Sequence, residues 1–473
     1  MRAAARTETL SHGDGGGAGE AGVSAYLFVV LDARRVDTPP ARIALAGIDE
    51  IVIGRGDERR FTVSEQRAVV ELPDAGMSRA HARVTRAFGG WVVEDAGSKN
   101  GTLVGGRRSS SGTSESAPRP VTRAELADGD VIEVGRTFLL FRRALPFDPA
   151  APAVLDGAIA SPLAPGMLTL SPAFQRTLAA LAAVAPAALP VILEGETGTG
   201  KEVAARAIHA LSGRRGDFVA VNCGALPAAL VEGQLFGHRR GAFSGATEDR
   251  PGLFRAADGG TLLLDEIGEM AAPAQAALLR VLEQREVLPL GATRPVPVDV
   301  RVIAATHRPL DRLVEEGAFR RDLHARLAGV RLVLPPLRER REDLGQLVAT
   351  LLARAGVAPL PAIEPRAARA LLGAAWGGNV RQLEKCLAAA AVLAAGGAIT
   401  VEHLPPEVRG PAPAVPGGGA EEPGAAQRDE LVALLREHRG NVSAVARARG
   451  VARMQVQRWL KRYALDPEAF RGD

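Results

Sequence analysis

The apolar positions of the chain change their spacing twice. Up to about Leu145 they come in short β-rich runs, Tyr26 to Leu31, Ile51 to Ile53, Trp91 to Glu94, Val131 to Val134 and Phe138 to Phe141, separated by Gly, Asp and Asn turns. Such runs predict a β-sandwich, with a Ser-rich insert, Ser109 to Pro120, as one of its loops. Further on, apolar strands such as Val191 to Leu193, Leu262 to Leu264 and Val302 to Ala304 alternate with helical patterns, which predicts a parallel α/β sheet. Towards the C-terminus only helical periodicity is left. Leu431, Leu434 and Leu435 supply an apolar face, Asn441 caps a helix that Gly450 ends, and Ala452 to Tyr463 forms a second helix.

Two Pro/Ala/Gly-rich, nearly uncharged stretches separate these textures and read as linkers. The expected organisation is multidomain: a disordered lead over 1–22, a first domain over 23–145, a linker over 146–166, a central domain over 167–410 with a helical lid from about residue 341, a linker over 411–424, and a short all-α domain over 425–473. A hydrophobic content of 47% over 473 residues is ample for such cores. The lead has no apolar core, so neither a signal peptide nor an anchor is expected. The longest uncharged stretch, Thr177 to Leu193, is interrupted by Pro186 and Pro190 and is too short to span a membrane. Cys223 and Cys386 lie too far apart for a disulfide scaffold or a cysteine zinc site. A soluble protein of the cytoplasm, with no membrane partner, is expected.

Chemistry enters where the strand Val191 to Leu193 runs into Gly195-Glu196-Thr197-Gly198-Thr199-Gly200-Lys201 and then into a helical pattern, Glu202 to Leu211. This is the context of a P-loop, in which glycines let backbone N–H groups close round phosphates and a lysine supplies charge at the helix N-terminus. Residues 195–202 are therefore the candidate ATP-binding loop. Glu202 stands where a Ser or Thr commonly binds magnesium, so the metal must lean on another carboxylate or on water. Asp265-Glu266 supplies it, at the end of the apolar run Thr261 to Leu264: Asp265 is the candidate for magnesium, through water, and Glu266 for polarising an attacking water.

From about Leu170 to Pro406 the chain resembles the AAA+ ATPase module of bacterial sigma-54-dependent transcription activators. Val221-Asn222-Cys223 resembles the segment whose Asn restrains the catalytic Glu, and Thr306-His307 resembles the first sensor. Phe319-Arg320-Arg321-Asp322-Leu323 with Arg326-Leu327 is similar to the segment that inserts arginines into a neighbour's site, making Arg320 and Arg326 candidate fingers. Leu334-Pro335-Pro336-Leu337-Arg338-Glu339-Arg340 leads into the family's lid. Trp376-Gly377-Gly378-Asn379-Val380-Arg381-Gln382-Leu383 resembles the second sensor, with Gly377 where Pro is usual and Arg381 in its expected place. Gln234 to Ala246 resembles the loop that touches the sigma factor in these activators, implying sigma-54 contact by Gly241, Ala242, Phe243, Ser244, Gly245 and Ala246. Ser244 replaces the usual Thr, keeping a hydroxyl and losing a methyl.

The first domain resembles the forkhead-associated (FHA) domain through Ile53-Gly54-Arg55, Met77-Ser78-Arg79-Ala80-His81 and Asp95 to Thr102. Such domains bind phosphothreonine peptides. The resemblance implies that Arg55, Ser78 and Arg79 hold phosphate, that Asn100 pins the peptide backbone and that His81 braces the loop. The last segment resembles the Fis-type helix-turn-helix. The whole chain's +4 conceals a local patch here, where Arg436 to Tyr463 holds eight Arg/Lys against one Glu, a net +7. Gln455, Gln457 and Arg458 are candidate base readers, and Arg453, Lys461 and Arg462 candidate phosphate contacts.

These resemblances imply an ATP- and magnesium-dependent activator that binds upstream enhancer DNA and remodels sigma-54 RNA polymerase. It would work as a homo-oligomer, expected to be hexameric, under the control of a phosphothreonine partner. An alternative, raised by Ser244, is a DNA-binding AAA+ regulator that has lost sigma-54 contact and acts on another transcription target.

Overall fold

The computed structural model describes residues 22–87, 89–106, 118–158, 162, 164–225, 228–242 and 246–409, and beyond these 434–435, 438, 440–448, 456–457, 460 and 465–467. The lead over 1–21 and the second linker, 411–424, lie outside the described residues.

The β-rich runs form a sandwich of two sheets. Seven strands make one, in the order Val154–Asp156, Ala41–Ala44, Val23–Asp32, Thr137–Pro146, Val131–Val134, Thr102–Gly105 and Arg119–Val121. The other has six, in the order Arg123–Leu126, Gly90–Asp95, Ala82–Ala87, Glu50–Arg55, Arg67–Leu72 and Arg60–Ser64. Leu27, Val29, Ile51, Ile53, Val84, Val93, Leu139 and Phe141 fill the space between the sheets.

The alternate residues of the first sheet, Tyr26, Phe28, Val30, Phe138 and Leu140, are just as deeply buried, because the lid covers them. Their core continues through Leu344, Val348, Leu352, Leu371 and Leu387. The run Tyr26 to Leu31 is apolar at every position for this reason: a strand covered on both faces has no solvent side to make polar.

The central domain carries five parallel strands in the order Phe218–Asn222, Thr261–Asp265, Arg301–Thr306, Val191–Glu194 and Val330–Val333. The lid follows two 3-10 turns, Leu337–Glu339 and Arg341–Asp343, and consists mainly of the helices Leu344–Arg354, Pro365–Gly373 and Asn379–Ala394.

The stretch 146–166, expected as a linker, is largely part of the fold. Val154–Asp156 pairs antiparallel with Ala41–Ala44, Gly157 N–H donates to Pro40 O at 2.8 Å, and Arg59 pairs with Asp156 at 2.9 Å. Proline-rich chain is tolerated there because an edge strand leaves one side of its backbone unpaired. Sandwich, α/β domain and lid thus form one compact unit, and the segment from Pro411 a second. In the second unit Asn441 Oδ1 accepts the Ser443 and Ala444 amides at 3.1 and 3.2 Å, capping the helix Val442–Ala448 as expected. Leu435, Val445, Ala446, Val456 and Leu460 form its apolar cluster.

Candidate functional site

The P-loop lies where Val191–Glu194 ends between two neighbouring strands and the helix Lys201–Leu211 begins, the position at which parallel α/β sheets receive ligands. Gly198 and Gly200 have φ of +81° and +106°, a backbone that side chains disfavour. A Cβ on Gly198 would lie 2.4 Å from Gly378 O and 3.0 Å from Arg381 Cβ, so the lid closes directly on the loop.

Lys201 is buried, and its Nζ donates to Gly195 O at 2.8 Å and Glu196 O at 3.3 Å. Burial pulls its pKa below the usual lysine value; Glu266 and Asp265 oppose that shift, and Arg381 adds to it. One Glu266 oxygen lies 3.8 Å from Lys201 Nζ, and the other lies 2.5 Å from His307 Nδ1 and 3.3 Å from the His307 amide. Glu266 itself has φ +52° at the end of its strand, the kind of strained backbone that clusters at functional sites. Asp265 is pushed above the usual carboxylate range by burial first and by the charge of Glu266 second, so a cation beside the pair would relieve both effects. Burial pushes the Cys223 thiol up to about 12, leaving it inert beside these acids.

Four residues of the lid and of the turns leading into it bond to the loop. Arg338 grips the Glu196 carboxylate with two bonds of 2.7 and 2.8 Å, and Asn379 Nδ2 donates to Glu196 Oε2 and Thr197 O, each at 3.1 Å. Arg340 Nη2 donates to Thr199 O at 2.9 Å, and the Val380 amide to Gly198 O at 3.0 Å. The Arg338 bonds, with help from Asn379, hold Glu196 below its ordinary pKa against the effect of burial.

Other expected residues are placed differently. Glu202 is exposed and bonded to Arg206 at 2.7 Å, one helical turn on, rather than directed at the loop. Asn222 Oδ1 accepts the Gly224 and Ala225 amides at 2.9 and 3.1 Å, and Glu266 is held by His307 instead. Thr306 is buried, its hydroxyl exchanging hydrogen bonds with the backbone of Arg308 at 3.0 Å. Within the Thr306-His307 pair, therefore, the histidine meets Glu266. Arg320 is exposed and bonded to Asp322 at 2.6 and 3.0 Å, while Arg326 donates to Leu282 O at 3.1 and 3.3 Å. Neither arginine contacts its own chain's P-loop or the Asp265-Glu266 pair.

Of the loop expected to contact the sigma factor the base is described: Gly241 N–H donates to Ala246 O at 2.9 Å, closing a turn, and Arg240 N–H to Asp249 Oδ1 at 2.8 Å. Phe243, Ser244 and Gly245 lie outside the described residues. So do Arg453, Gln455, Arg458, Lys461 and Arg462, whereas Gln457 is exposed.

At the sandwich tip, the Ser78 hydroxyl accepts the Lys99 amide at 3.1 Å and Asn100 Nδ2 donates to Gly76 O at 2.7 Å, joining two signature loops. His81 is fully buried. Its Nδ1 accepts the Ser78 amide at 3.1 Å and its Nε2 lies 3.1 Å from Gly101 O, so one bracing tautomer, protonated on Nε2, satisfies both bonds. Burial opposes ionisation of Asp95, but the Ser98 and Thr102 hydroxyls and the Ser98 and Gly97 amides outweigh it and hold the pKa low. The guanidinium-bearing residues Arg55 and Arg79 are both exposed on this rim. Arg79 O packs on Gly54, where a Cβ would come within 1.8 Å, so glycine there lets the two loops meet.

Comparison with known proteins is consistent with this geometry. Residues 167–333 match the sigma-54 interaction domain, 338–417 the AAA+ ATPase lid domain and 51–135 the FHA domain. The regulatory protein AtoC of Escherichia coli is 41% identical over 314 residues, 64% of this chain and 68% of that protein. The chain belongs to the sigma-54-dependent transcriptional regulators. GlrR of Escherichia coli, a transcriptional regulatory protein, is 42% identical over 309 residues, 64% of this chain and 69% of its own. The acetoin catabolism regulatory protein of Cupriavidus necator is 46% identical over 308 residues, 62% of this chain, and the match spans only 46% of that protein. As a sigma-54-dependent regulator this chain thus combines an AAA+ module with an FHA sandwich. No helix among its described residues is long and apolar enough to cross a membrane.

Proposed function

We propose that the chain is an ATP-driven activator that binds DNA and remodels sigma-54 RNA polymerase, and that a phosphothreonine partner controls it through the FHA sandwich. The carrying observation is the convergence of Lys201, Glu266 and His307 at the P-loop. Lys201, already turned into the loop, binds phosphate oxygens in place of the Gly195 and Glu196 carbonyls, since a phosphate is the stronger acceptor. Glu266 orients the attacking water, and His307 fixes which way its carboxylate faces. Asp265, with Glu266 beside it, would hold magnesium, whose role is to neutralise charge developing on the phosphate oxygens. Arg381 adds positive charge from the lid. Arg320 and Arg326, exposed on their own chain, act on the site of a neighbouring subunit in a homo-oligomer, taken to be a hexamer, so turnover requires assembly.

Control reaches the motor through residues 338–343. Arg338 and Arg340 bond to the P-loop, whereas the interleaved Arg341 donates to Gly129 O and Gly106 O of the sandwich, each at 3.0 Å. Glu342, fully buried, pairs with Arg142 of the sandwich at 3.0 Å, and Asp343 accepts the Thr169 hydroxyl at 2.6 Å. A change in how the sandwich docks thus acts on the same few residues that clamp the P-loop. Arg55, Ser78, Arg79 and Asn100 receive the phosphopeptide. The deciding experiment measures ATP turnover of the full chain with and without phosphothreonine peptides. A response that disappears in Arg55→Ala supports the reading, and a wild-type chain without ATPase activity refutes it.

A further inference from the structure

The loop that carries Ser78 and Arg79 is tied to the lid by a continuous series of hydrogen bonds. It begins at Asp74, a buried carboxylate at the base of that loop. Asp74 Oδ1 accepts the Gly76 amide at 2.8 Å, while Oδ2 accepts the Arg136 amide at 2.6 Å and the Thr137 hydroxyl at 3.1 Å. Gly76 is the residue whose carbonyl Asn100 holds, and Arg136 lies in the turn joining the strands Val131–Val134 and Thr137–Pro146. That turn is seated on the loop: Gly135 has φ +64°, and a Cβ on it would fall 2.7 Å from Asp74 Oδ2 and 2.8 Å from Gly76 C. From the turn the series continues through buried backbone. Arg136 O accepts the Ala33 amide at 3.0 Å, and Ala33 O accepts the Ile363 amide at 2.7 Å. Ile363 leads into the lid helix Pro365–Gly373, where Leu371 O accepts the Trp376 indole N–H at 3.0 Å. Asn379 and Val380, just beyond Trp376, bond to the P-loop carbonyls of Thr197 and Gly198.

We propose that Asp74 is the positioning residue that couples the phosphopeptide loops to the nucleotide site: it holds loop and turn as one piece, so a peptide settling on Ser78, Arg79 and Asn100 moves Ile363 and the lid residues behind it. This rests on the reading of the sandwich tip as a phosphothreonine site. An ionised carboxylate suits the task because it only accepts, and so can join three donors from two segments. Parting Gly76 from Arg136 would strip a buried charge of its partners, so the two segments shift together. Coupling of this kind is reciprocal: nucleotide changes peptide affinity by the same factor by which peptide changes nucleotide affinity.

That factor is measured by titrating the full chain with a phosphothreonine peptide, selected from a library on the wild type, with and without saturating ADP. In the wild type ADP should shift the peptide Kd by about fivefold or more. Asp74→Asn keeps the shape but turns an NH2 group towards the Gly76 or the Arg136 amide, so one of those bonds is lost. Peptide should still bind that variant, with the ratio of its two Kd values close to one. Thr137→Val removes only the hydroxyl and should lower the ratio part of the way, which decides the matter if Asp74→Asn does not fold. A merely structural Asp74 would weaken peptide binding equally with and without ADP. An undiminished ratio in these variants would therefore overturn the inference, as would a wild type that binds peptide equally well in both conditions, and either result leaves the phosphothreonine reading standing. A wild-type chain that binds no phosphothreonine peptide removes that reading and the inference with it.

Discussion

Gly345 lies where the lid helix passes under the first sandwich strand, and a Cβ there would come within 1.8 Å of Val30 O and 2.8 Å of Val30 C. Contacts of that kind settle near 3.5 Å, so in Gly345→Ala the sheet and the helix must part by roughly 1.5 Å or more. Both atoms it meets are backbone, so no side chain can rotate out of the way. A separation of that size breaks the Ile363 amide bond to Ala33 O, now 2.7 Å, and the Arg341 bonds to Gly106 O and Gly129 O, now 3.0 Å. It also pulls Arg142 away from Glu342, whose side chain is fully buried. Overpacking alone costs about 1–3 kcal/mol, and stripping a buried carboxylate of its partner about 3–5 kcal/mol. The docking of sandwich and lid should therefore weaken, while the apolar core of Phe28, Val30 and Phe138 against Leu344 and Val348 keeps the two in contact. Calorimetry of the wild type should then show sandwich and motor unfolding together, with a separate sandwich transition appearing in Gly345→Ala. ATP turnover in the variant should no longer respond to phosphothreonine peptide, although Arg55, Ser78 and Asn100 are untouched. Gly373→Ala serves as the control, since a Cβ there meets nothing within 4 Å. If Gly345→Ala unfolds and responds to peptide like the wild type, the docking described above does not carry the signal.

The remaining expectations follow from the site itself. Glu266→Gln should bind ATP and lose turnover by about 10²–10⁴-fold, whereas Lys201→Ala should lose both; steady turnover in purified Glu266→Gln would remove Glu266 from the mechanism. His307→Ala should lower turnover with ATP affinity little changed, because the hydrogen bonds of His307 go to Glu266; an unchanged turnover rate would show that Glu266 needs no positioning. Mixing inactive Arg326→Ala with inactive Glu266→Gln should restore part of the activity, since some interfaces then pair an intact Glu with an intact Arg, and specific activity should rise with protein concentration. A stable monomer with concentration-independent activity would rule that arrangement out. Arg55→Ala should weaken phosphothreonine peptide binding by about 10- to 150-fold, the worth of a charge-assisted bond, and equal affinity in a peptide titration would exclude Arg55 from the phosphate site.

Much of this architecture is legible in the order of residues, and its omissions have a common cause. The P-loop, the Asp265-Glu266 pair and the FHA signature loops are local: each is a few consecutive residues whose conformation is set by glycine, strand and turn. Contacts between distant segments leave fainter marks. Leu337 to Asp343 is charged at every position after the first, yet Arg340, Arg341, Glu342 and Asp343 are all buried, with partners at Thr199 of the P-loop, at Gly106, Gly129 and Arg142 of the sandwich, and at Thr169. The uninterrupted apolar run Tyr26 to Leu31 was the available signal that something covers the sandwich's outer face, since a sheet open to water on one side would alternate. Pro-rich composition pointed to a linker at 146–166, but composition does not reveal that Val154–Asp156 finds an open strand edge at Ala41–Ala44. Beside the P-loop the motif order singles out Thr306-His307, while only the fold decides that the threonine turns to Arg308 and the histidine to Glu266. Asn222 is adjacent to Asp265 across the sheet, but its amide oxygen is taken by the turn that follows it.

Open-complex formation by sigma-54 RNA polymerase shows whether ATP turnover is coupled to the sigma factor. On a template carrying DNA sites that the chain binds, wild type should open the promoter with ATP and not with a non-hydrolysable analogue. Phe243→Ala should hydrolyse ATP and open nothing, as expected of a loop proposed to transmit nucleotide state rather than perform chemistry. A wild-type chain that hydrolyses ATP and binds its sites, yet opens no sigma-54 promoter, would contradict the account. Opening gained only in Ser244→Thr would then identify a regulator whose sigma-54 contact has lapsed.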